Sequence, residues 1–479
     1  MENKKVLKNL IWRFLEHSGS QIVAFVVSII LARLLAPELY GTIAIVTALT
    51  AIMQVFITSG LGTALVQKKD SDDVDFSTVF FFNIVMCLVV YAAMFFAAPL
   101  IARIYGIPEL TSIVRVLSLT LVISGVRNIQ QSYVSKHMLF KKFFFSTVVG
   151  TIVSAVVGIG MAYAGFGVWA LVGQSLANTL IGTVILWFTV GWRPKLIFSF
   201  ERLKTLFSYG WKLLVSSLID TVYNEIRTFV IGARYSSADL AFYDKGKKFP
   251  NLIVQNVNTS IDSVLLPVLA KEQDNRDRVK AMTRRAIKTS SYIMMPLMMG
   301  LAVCAEPVVR ILLTEKWMSC VLFMRVFCFT YAFYPIHTAN LNAIKAMGRS
   351  DLFLKMEIIK KAGGLAAVFI SMWFGVEWMA YSLLITTFIS QAVNAYPNKK
   401  LLGYSYGQQI LDMLPQIILS CVMGAAVFCI QFIGLNDILT LLIQVPLGAL
   451  IYIVGSYVFK IDSFSYVLNM LKGFLKKKK

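Results

Sequence analysis

The chain has 479 residues, of which 57% are hydrophobic, and its mean hydropathy is +0.71. A composition this apolar excludes an ordinary soluble globular protein. The formal net charge of +21 would suggest a nucleic-acid partner for a soluble chain, but most of this charge lies between apolar segments and in the tail Lys476 to Lys479. There it would face anionic membrane lipids, which we expect as partners, and we expect no nucleic-acid partner.

Fourteen long apolar segments follow one another along the chain. Each is about as long as a helix that crosses roughly 30 Å of hydrocarbon. Each should be helical, because an open sheet cannot satisfy its backbone hydrogen bonds in lipid. We therefore predict an all-α polytopic membrane protein with about 14 transmembrane helices. The predicted spans are approximately residues 11–35, 40–66, 77–103, 111–134, 144–164, 167–190, 207–233, 239–269, 286–313, 318–342, 353–374, 377–396, 410–433 and 438–459.

The short connections between these segments alternate between cationic and nearly cation-free. Loops rich in lysine and arginine stay in the cytoplasm, so we expect a multi-pass inner-membrane protein with the even-numbered connections and both termini cytoplasmic. The odd-numbered connections contain only Arg33, Arg103, Arg234, Arg310 and Lys316. The even-numbered connections contain Lys68 and Lys69; Lys136, Lys141 and Lys142; Arg193, Lys195, Arg202 and Lys204; seven cations from Lys271 to Lys288; Lys345 to Lys361; and Lys399 and Lys400.

The sequence contains a weak internal repeat. A shift of 201 residues aligns Ile30–Arg33 with Ile231–Arg234, and each segment lies at the first outward connection of a set of six helices. Because six is even, the two sets would share one orientation, related by an axis along the membrane normal. We predict a first lobe over residues 1–190, a cytoplasmic linker over 191–206, a second lobe over 207–396, and two extra helices with a basic cytoplasmic tail over 397–479.

The polar connections offer little room for catalysis. The largest, residues 270–288, has cations at helical spacings and is predicted to form an amphipathic helix on the cytoplasmic surface. The outward connections are too short to fold into a catalytic domain. The sequence has no acid–base carboxylate pair, nucleophile triad, glycine-rich phosphate loop or metal-ligand cluster. We therefore expect neither enzyme activity nor a metal or other cofactor.

Three stretches resemble a known family: Leu31–Gly41 after the first helix, Gly60–Gln67 ending the second, and Ala343–Gly348 ending the tenth. On these the chain resembles the MOP flippase superfamily, specifically its Wzx-type polysaccharide transporters. The resemblance implies a V-shaped bundle of two six-helix lobes that moves undecaprenyl-diphosphate-linked oligosaccharide from the cytoplasmic to the outer leaflet of the bacterial inner membrane. It also implies a cationic central cavity for the headgroup, a lipid-tail groove involving the last two helices, and other polysaccharide assembly proteins as partners. We expect a monomer.

The seventh predicted span is the richest in polar residues. A diphosphate headgroup requires arginine or lysine, and its sugars require neutral hydrogen-bonding groups. Asp220, Asn224 and Arg227 share one helix face, which is too polar for lipid and is predicted to line the cavity together with Lys212. The alternative is that Asp220 and Arg227 form an ion pair that fixes helix packing.

The eighth span adds two lysines and a run of amides. Lys245 and Lys248 share a face near the predicted outer end, where they would contact the headgroup or extend to the membrane interface by snorkelling. Gln255 belongs to the amides of the mid-membrane region. These amides would either face the sugars or join neighbouring helices by hydrogen bonds.

Two further arginines are candidates for headgroup binding. Arg127 lies towards the inner end of the fourth span, and Arg325 lies in the outer third of the tenth, where it could complete a cationic ring. Near the outer end of the ninth span, Glu306 and Arg310 are four residues apart, and we predict that they pair with each other.

Energy coupling has two candidate acids, Glu16 in the first span and Asp220 in the seventh. Glu16 is near the membrane boundary, so pairing with Arg13 is an alternative role. An ion-coupled exporter of small cationic or amphipathic drugs is the alternative function within the same superfamily. Such an exporter would favour acids over bases in its cavity, and the excess of arginine and lysine argues against it.

Overall fold

The computed structural model describes residues 19–58 and 60–476, and within these ranges every regular element is a helix. The prediction of an all-α fold is therefore confirmed. The α-helices are α1 Gly19–Leu34, α2 Pro37–Thr58, α3 Leu61–Gln67, α4 Asp73–Tyr105, α5 Leu110–Leu117, α6 Leu119–Lys136, α7 Phe140–Tyr163, α8 Val168–Thr189, α9 Phe200–Arg234, α10 Ser237–Lys271, α11 Arg276–Val303, α12 Ala305–Leu312, α13 Cys320–Ala332, α14 Tyr334–Ala346, α15 Ser350–Ser371, α16 Val376–Leu402, α17 Tyr406–Cys429, α18 Asp437–Val458 and α19 Asp462–Lys476.

Nine helical stretches in the described residues are long and apolar enough to cross a membrane, so the chain is a multi-pass membrane protein. Three of the nine join two α-helices end to end: α2 with α3, α5 with α6, and α13 with α14. The other five predicted spans coincide with α1, α9, α10, α15 and α16, which are shorter or more polar in the described part. The total of fourteen spans therefore remains a prediction.

The break between α2 and α3 requires a glycine. Gly60 has φ +97, and a Cβ at this position would lie 2.3 Å from the carbonyl oxygen of Gly210 in α9. Only glycine accepts both the backbone angle and this close approach. The amide of Asn128 in α6 donates to the carbonyl oxygen of Ile57 at 2.8 Å. A side chain thus satisfies a carbonyl near the end of α2, where the helical ladder stops.

The chain forms two compact units, Met1–Ala241 and Phe242–Lys479. In the first unit, α7 packs along α8, and α9 packs on α2, α3 and α4. In the second unit, α11 packs on α13, α14 and α17, and α15 packs on α16. The lobe boundaries that we inferred from the internal repeat remain a prediction.

The two repeat segments end their helices in the same way. The amide of Leu35 donates to the carbonyl of Leu31 at 2.9 Å after α1, and the amide of Tyr235 donates to the carbonyl of Ile231 at 2.9 Å after α9. Two residues separate the helices at each junction, and α2 or α10 follows. The two junctions lie 200 residues apart, one residue fewer than the shift of 201 that aligns the sequences, and the internal repeat stays a prediction.

The cationic segment 270–288 is not a separate surface helix. Arg276 begins α11, which continues without interruption to Val303. The side chain of Asn275 accepts a hydrogen bond from the amide of Arg278 at 3.1 Å and so caps the helix. Lys271 ends α10, and the other cations of this segment occupy the first turns of α11, whose remainder is mainly apolar.

Candidate functional site

Helix α9 carries the predicted headgroup residues of the seventh span. It is 35 residues long, and the side chain of Ser199 caps its start by accepting from the amide of Arg202. Asp220 and Asn224 are exposed on this helix, as is Lys212, whereas Arg227 is only 9% exposed. The polar face thus passes from an exposed part into a packed part within two turns. Its role as a cavity wall remains a prediction.

Lys245 is buried near the start of α10. Its side chain is 2% exposed, and its ammonium lies 5.4 Å from the centroid of the Trp317 ring. Trp317 is itself fully buried, so this cation–π contact is shielded from water. Burial at this level is inconsistent with a lysine that snorkels to the interface, and it leaves headgroup binding or packing as the roles of Lys245.

The remaining α10 candidates are exposed. Lys248 and Gln255 both present their side chains at the surface of the second unit. Lys245 and Lys248 are three residues apart, yet one is buried and the other is not. The burial of Lys245 depends on a tertiary contact with Trp317, which helical spacing alone does not specify.

Arg127 in α6 is half-buried beside α8. A Cβ added at Gly182 would lie 3.3 Å from the Arg127 guanidinium, so the glycine gives this side chain space. Its neighbour Asn128 is used at the α2–α3 break, and the Gln130 amide donates to the carbonyl oxygen of Trp192 at 3.1 Å. Asn128 and Gln130, two polar residues close to Arg127, therefore donate hydrogen bonds to backbone carbonyls.

Arg325 pairs with Glu306, which corrects the predicted pair of Glu306 with Arg310. Arg325 Nη2 lies 2.8 Å from Glu306 Oε1, and its Nε donates to the carbonyl oxygen of Ala302. Arg310 instead bonds to Glu315 and to Asp437, the first residue of α18. A pair four residues apart is weak, and better-placed partners on neighbouring elements replace it.

Arg325 and Glu306 line a cavity of about 530 Å³ between α11, α13 and α17. The rest of its wall is mainly methionine, phenylalanine and small apolar side chains. We call it the Arg325 cavity. One ion pair in a mainly apolar space can hold a charged group at one end and a hydrocarbon chain beyond it.

Two further points concern the candidate coupling acid Glu16 and possible metal ligands. Glu16 and its alternative partner Arg13 lie outside the described residues. For metals, no group of three or more His, Cys, Asp or Glu side chains in residues 19–58 and 60–476 is placed to hold an ion.

The second unit contains a polar cluster that was not predicted from the sequence. Lys360 in α15 is 8% exposed and lies 2.5 Å from Glu357, and the His337 ring in α14 lies 2.7 Å from the amide nitrogen of Asn394 in α16. The sequence predicts that Lys360 belongs to a cytoplasmic connection, and the structure corrects this. It is the eleventh residue of α15, about 15 Å from the start of the helix. A lysine within a predicted span was the available signal.

A second missed network joins α17 to the rest of this unit. The Asn340 amide donates to Gln409 Oε1 at 2.7 Å, and Asn398 donates to Asn340 Oδ1 at 2.6 Å. The Tyr404 hydroxyl donates to Asp412 Oδ2 at 2.7 Å. Buried polar groups that satisfy one another fix the positions of the helices that carry them. This network therefore anchors one of the last two predicted spans.

Comparison with known sequences gives consistent matches. Residues 30–322 match a family model described as polysaccharide biosynthesis protein. The chain is 24% identical over 314 residues to the succinoglycan biosynthesis transport protein ExoT of Rhizobium meliloti (strain 1021), a match that covers 66% of this chain and 64% of ExoT. It is 24% identical over 420 residues to the teichuronic acid biosynthesis protein TuaB of Bacillus subtilis (strain 168), covering 84% of this chain and 85% of TuaB.

The structure is similar to that of the lipid II flippase MurJ in an inward closed conformation. The TM-score is 0.77 with 16% sequence identity, and the match covers 94% of this chain and 99% of that chain. At this identity the likeness establishes the fold alone. Together with the sequence matches, it confirms the resemblance to the MOP flippase superfamily and its Wzx-type polysaccharide transporters.

Proposed function

Because the chain belongs to the polysaccharide biosynthesis protein family, we propose that it is a flippase for undecaprenyl-diphosphate-linked oligosaccharide. It moves the headgroup from the cytoplasmic to the outer leaflet of the bacterial inner membrane, and its termini are cytoplasmic. The names of ExoT and TuaB, which refer to succinoglycan transport and teichuronic acid biosynthesis, support a cell-surface glycan as cargo. The alternation of cationic and cation-free connections supports the orientation.

The observation that carries this proposal is the burial of two cations in helices of a membrane protein. Arg227 in α9 and Lys245 in α10 are 9% and 2% exposed. A charged side chain within a membrane span is costly, so it persists where function or pairing requires it. A diphosphate offers several anionic oxygens that form strong, charge-assisted hydrogen bonds with such groups.

The other parts of the substrate need different surroundings. The exposed polar side chains Asp220, Asn224 and Gln255 would bind sugar hydroxyls by hydrogen bonds. The Arg325 cavity, with its apolar wall, would take part of the prenyl chain. The buried network around Asn340 and Gln409 would hold α17 in place as one wall of that cavity.

Transport would follow alternating access, without covalent chemistry. The two compact units are bodies that can move, and the breaks within helices are points at which the chain can bend. The breaks at Gly60, Ser118 and Phe333 interrupt helices within three predicted spans. Of the two candidate acids for ion coupling, Asp220 is the one that lies within the described residues.

The test measures headgroup translocation in liposomes that contain the purified protein and a short undecaprenyl-diphosphate oligosaccharide. A membrane-impermeant enzyme counts the sugar exposed on the outside. We expect protein-dependent translocation that Arg227→Ala abolishes and that Lys204→Gln, which removes an exposed cation near the start of the same helix, retains. Translocation at the wild-type rate by folded Arg227→Ala protein would remove Arg227 from the mechanism.

The alternative is an ion-coupled exporter of small cationic or amphipathic drugs. Its cavity would need acids to attract such cargo, whereas the most deeply buried of the predicted site residues are basic, Arg227 and Lys245. Overexpression in a drug-sensitive host separates the two functions. Increased resistance without glycan translocation would favour the exporter.

A further inference from the structure

A second cavity, more polar than the Arg325 cavity and lined by none of the proposed transport residues, lies where the first turns of α11 face the start of α19. Its volume is about 550 Å³, and we call it the α11–α19 cavity. Arg284, Arg285 and Lys288 line one side, and Ser463 and Tyr466 line the other. Three cations, a hydroxyl and a phenol are side chains that bind phosphate oxygens.

The charges in this cavity are only partly neutralised. Arg284 binds Asp412 through two hydrogen bonds of 2.7 and 2.6 Å, and Lys288 lies 2.9 Å from Asp462. Arg285 lies over the Tyr466 ring at 5.2 Å, and among the described residues it forms no salt bridge. Three cations thus face two carboxylates, which leaves one positive charge. A phosphodiester carries one negative charge and would balance it.

The Arg284 and Lys288 pairs differ in how firmly they are held. Asp412 is 8% exposed and also accepts from the Tyr404 hydroxyl, so Arg284 is fixed. The side chain of Asp462 is 83% exposed, and an ion pair open to water in this way is weak. Lys288 and Arg285 can therefore turn to a bound phosphate without breaking a buried interaction.

A separate apolar groove lies further along the same face of α11 and shares no lining residue with this cavity. Arg285, Thr289, Pro296 and Gly300 are spaced by four, seven and four residues on α11, which keeps them on one face. Pro296 and Gly300 line a groove of about 490 Å³ whose opposite wall belongs to α17 and α18. From Thr289 to Pro296 the helix rises only about 10 Å. A ligand with a phosphate at one end and a hydrocarbon chain at the other would fill both spaces.

The position of α19 favours a membrane lipid as this ligand. The helix follows α18, a candidate membrane span, after a short turn. Its Phe464 and Val467 pack on the core of the second unit, whereas Tyr466 and Leu468 are exposed. A helix with apolar residues on a packed side and further lysines at its end is typical of one that lies at a membrane surface.

We propose that the α11–α19 cavity binds the phosphate of an anionic membrane phospholipid, with an acyl chain in the groove on the same face of α11. The lipid bridges α11 and α19 and holds α19 against the rest of the second unit. Inorganic phosphate shares the headgroup chemistry but cannot occupy the groove. None of these residues belongs to the proposed glycan site, so lipid binding does not depend on flipping.

The test measures lipid binding to the full chain in detergent micelles by native mass spectrometry, where no charged bilayer surface contributes. Phosphatidylglycerol is titrated against wild-type protein, Arg285→Gln and Lys288→Gln. The matched control is Arg276→Gln, which removes an exposed cation from the same end of α11 but outside the cavity. We expect roughly fivefold weaker binding for each cavity variant and an unchanged control.

A different kind of variant leaves Arg284, Arg285 and Lys288 in place. Ala281 is exposed on the cavity wall, so Ala281→Glu adds a negative charge there without removing a contact. We expect it to weaken phosphatidylglycerol binding and to leave the weak binding of phosphatidylcholine unchanged. Equal binding by all variants, or equal weakening by Arg276→Gln, overturns the proposal. Displacement of the lipid by millimolar inorganic phosphate would overturn the lipid assignment and identify a phosphate site.

Discussion

Arg325 and Glu306 form an ion pair at 2.8 Å on the wall of the Arg325 cavity. Their side chains are 40% and 39% exposed, and a pair this open contributes about 1 kcal/mol or less to folding. The arginine is therefore available to a stronger anionic partner such as a diphosphate. The carboxylate would position Arg325 while the cavity is empty of substrate.

Substitutions at this ion pair can distinguish headgroup binding by Arg325 from a role in helix packing. We expect Arg325→Gln to slow glycan translocation roughly tenfold, because it removes a charge-assisted hydrogen bond to the headgroup. Glu306→Gln should keep most translocation and lower the free energy of unfolding by no more than about 1 kcal/mol. The liposome assay and thermal unfolding in detergent measure the two effects. Equal translocation rates in both variants and wild type would exclude Arg325 from headgroup binding.

Lys245 offers a sharper distinction because it is buried against Trp317. We expect Lys245→Met to abolish translocation while the protein still folds, since the unbranched apolar side chain of methionine keeps most of the volume and removes the cost of burying a charge. Loss of the cation–π contact should cost about 0.5–2 kcal/mol, partly offset by the removed desolvation penalty.

The matched control for Lys245 is Lys247→Met, which changes a neighbouring lysine outside the predicted site. It should translocate at the wild-type rate. The measurement is translocation per folded protein, with folding checked by thermal unfolding. A Lys245→Met protein that translocates normally but unfolds at a lower temperature would assign Lys245 to packing alone.

Asp75 joins three parts of the first unit and should be important for its stability. It is fully buried, and its carboxylate lies 2.6 Å from Lys68 Nζ and 3.2 Å from Arg202 Nη1, while it also caps the start of α4. Asp75→Asn would remove the carboxylate that binds Lys68 and would leave Arg202 with Asp72 alone. We expect a loss of roughly 2–3 kcal/mol, below the value for fully buried pairs because both cations are partly exposed.

The control for Asp75 is Asp70→Asn, an exposed aspartate in the same connection. Its unfolding temperature should match that of the wild type. The relevant comparison is the midpoint of thermal aggregation of the detergent-solubilised proteins. If both variants aggregated at the same temperature as the wild type, the ion pairs of Asp75 would not contribute measurably to stability.

The positions of the helices could be predicted where a long apolar segment defines them. The breaks within these segments could be predicted only where the sequence carries a local signal. Gly60 and Pro335 mark two of the breaks, because glycine tolerates positive φ and proline is favoured in the first turn of a helix. The break at Ser118, between two leucines, carries no such signal. It depends on tertiary packing, which hydropathy does not contain.

The candidate site was less predictable than the fold because partners on different helices decide its charges. Residue spacing suggested that Glu306 binds Arg310, yet Arg325 from α13 takes this carboxylate. The alternation of cationic connections assigned Lys360 to a loop. In the structure Lys360 is buried in α15 beside Glu357. Spacing describes one helix at a time, and ion pairing between helices requires their arrangement.

Gly60 provides a last test, which concerns the backbone alone. Alanine at this position would have to adopt φ +97 and would bring its Cβ within 2.3 Å of the Gly210 carbonyl oxygen. The unfavourable backbone angle costs about 1–2 kcal/mol, and separation of α3 from α9 adds to it. Gly160→Ala is the matched control, because nothing lies within 4 Å of its added Cβ. We expect a clear loss of thermal stability for Gly60→Ala and unchanged or slightly higher stability for the control. Equal unfolding temperatures would mean that α3 and α9 do not approach each other as closely as the structure indicates.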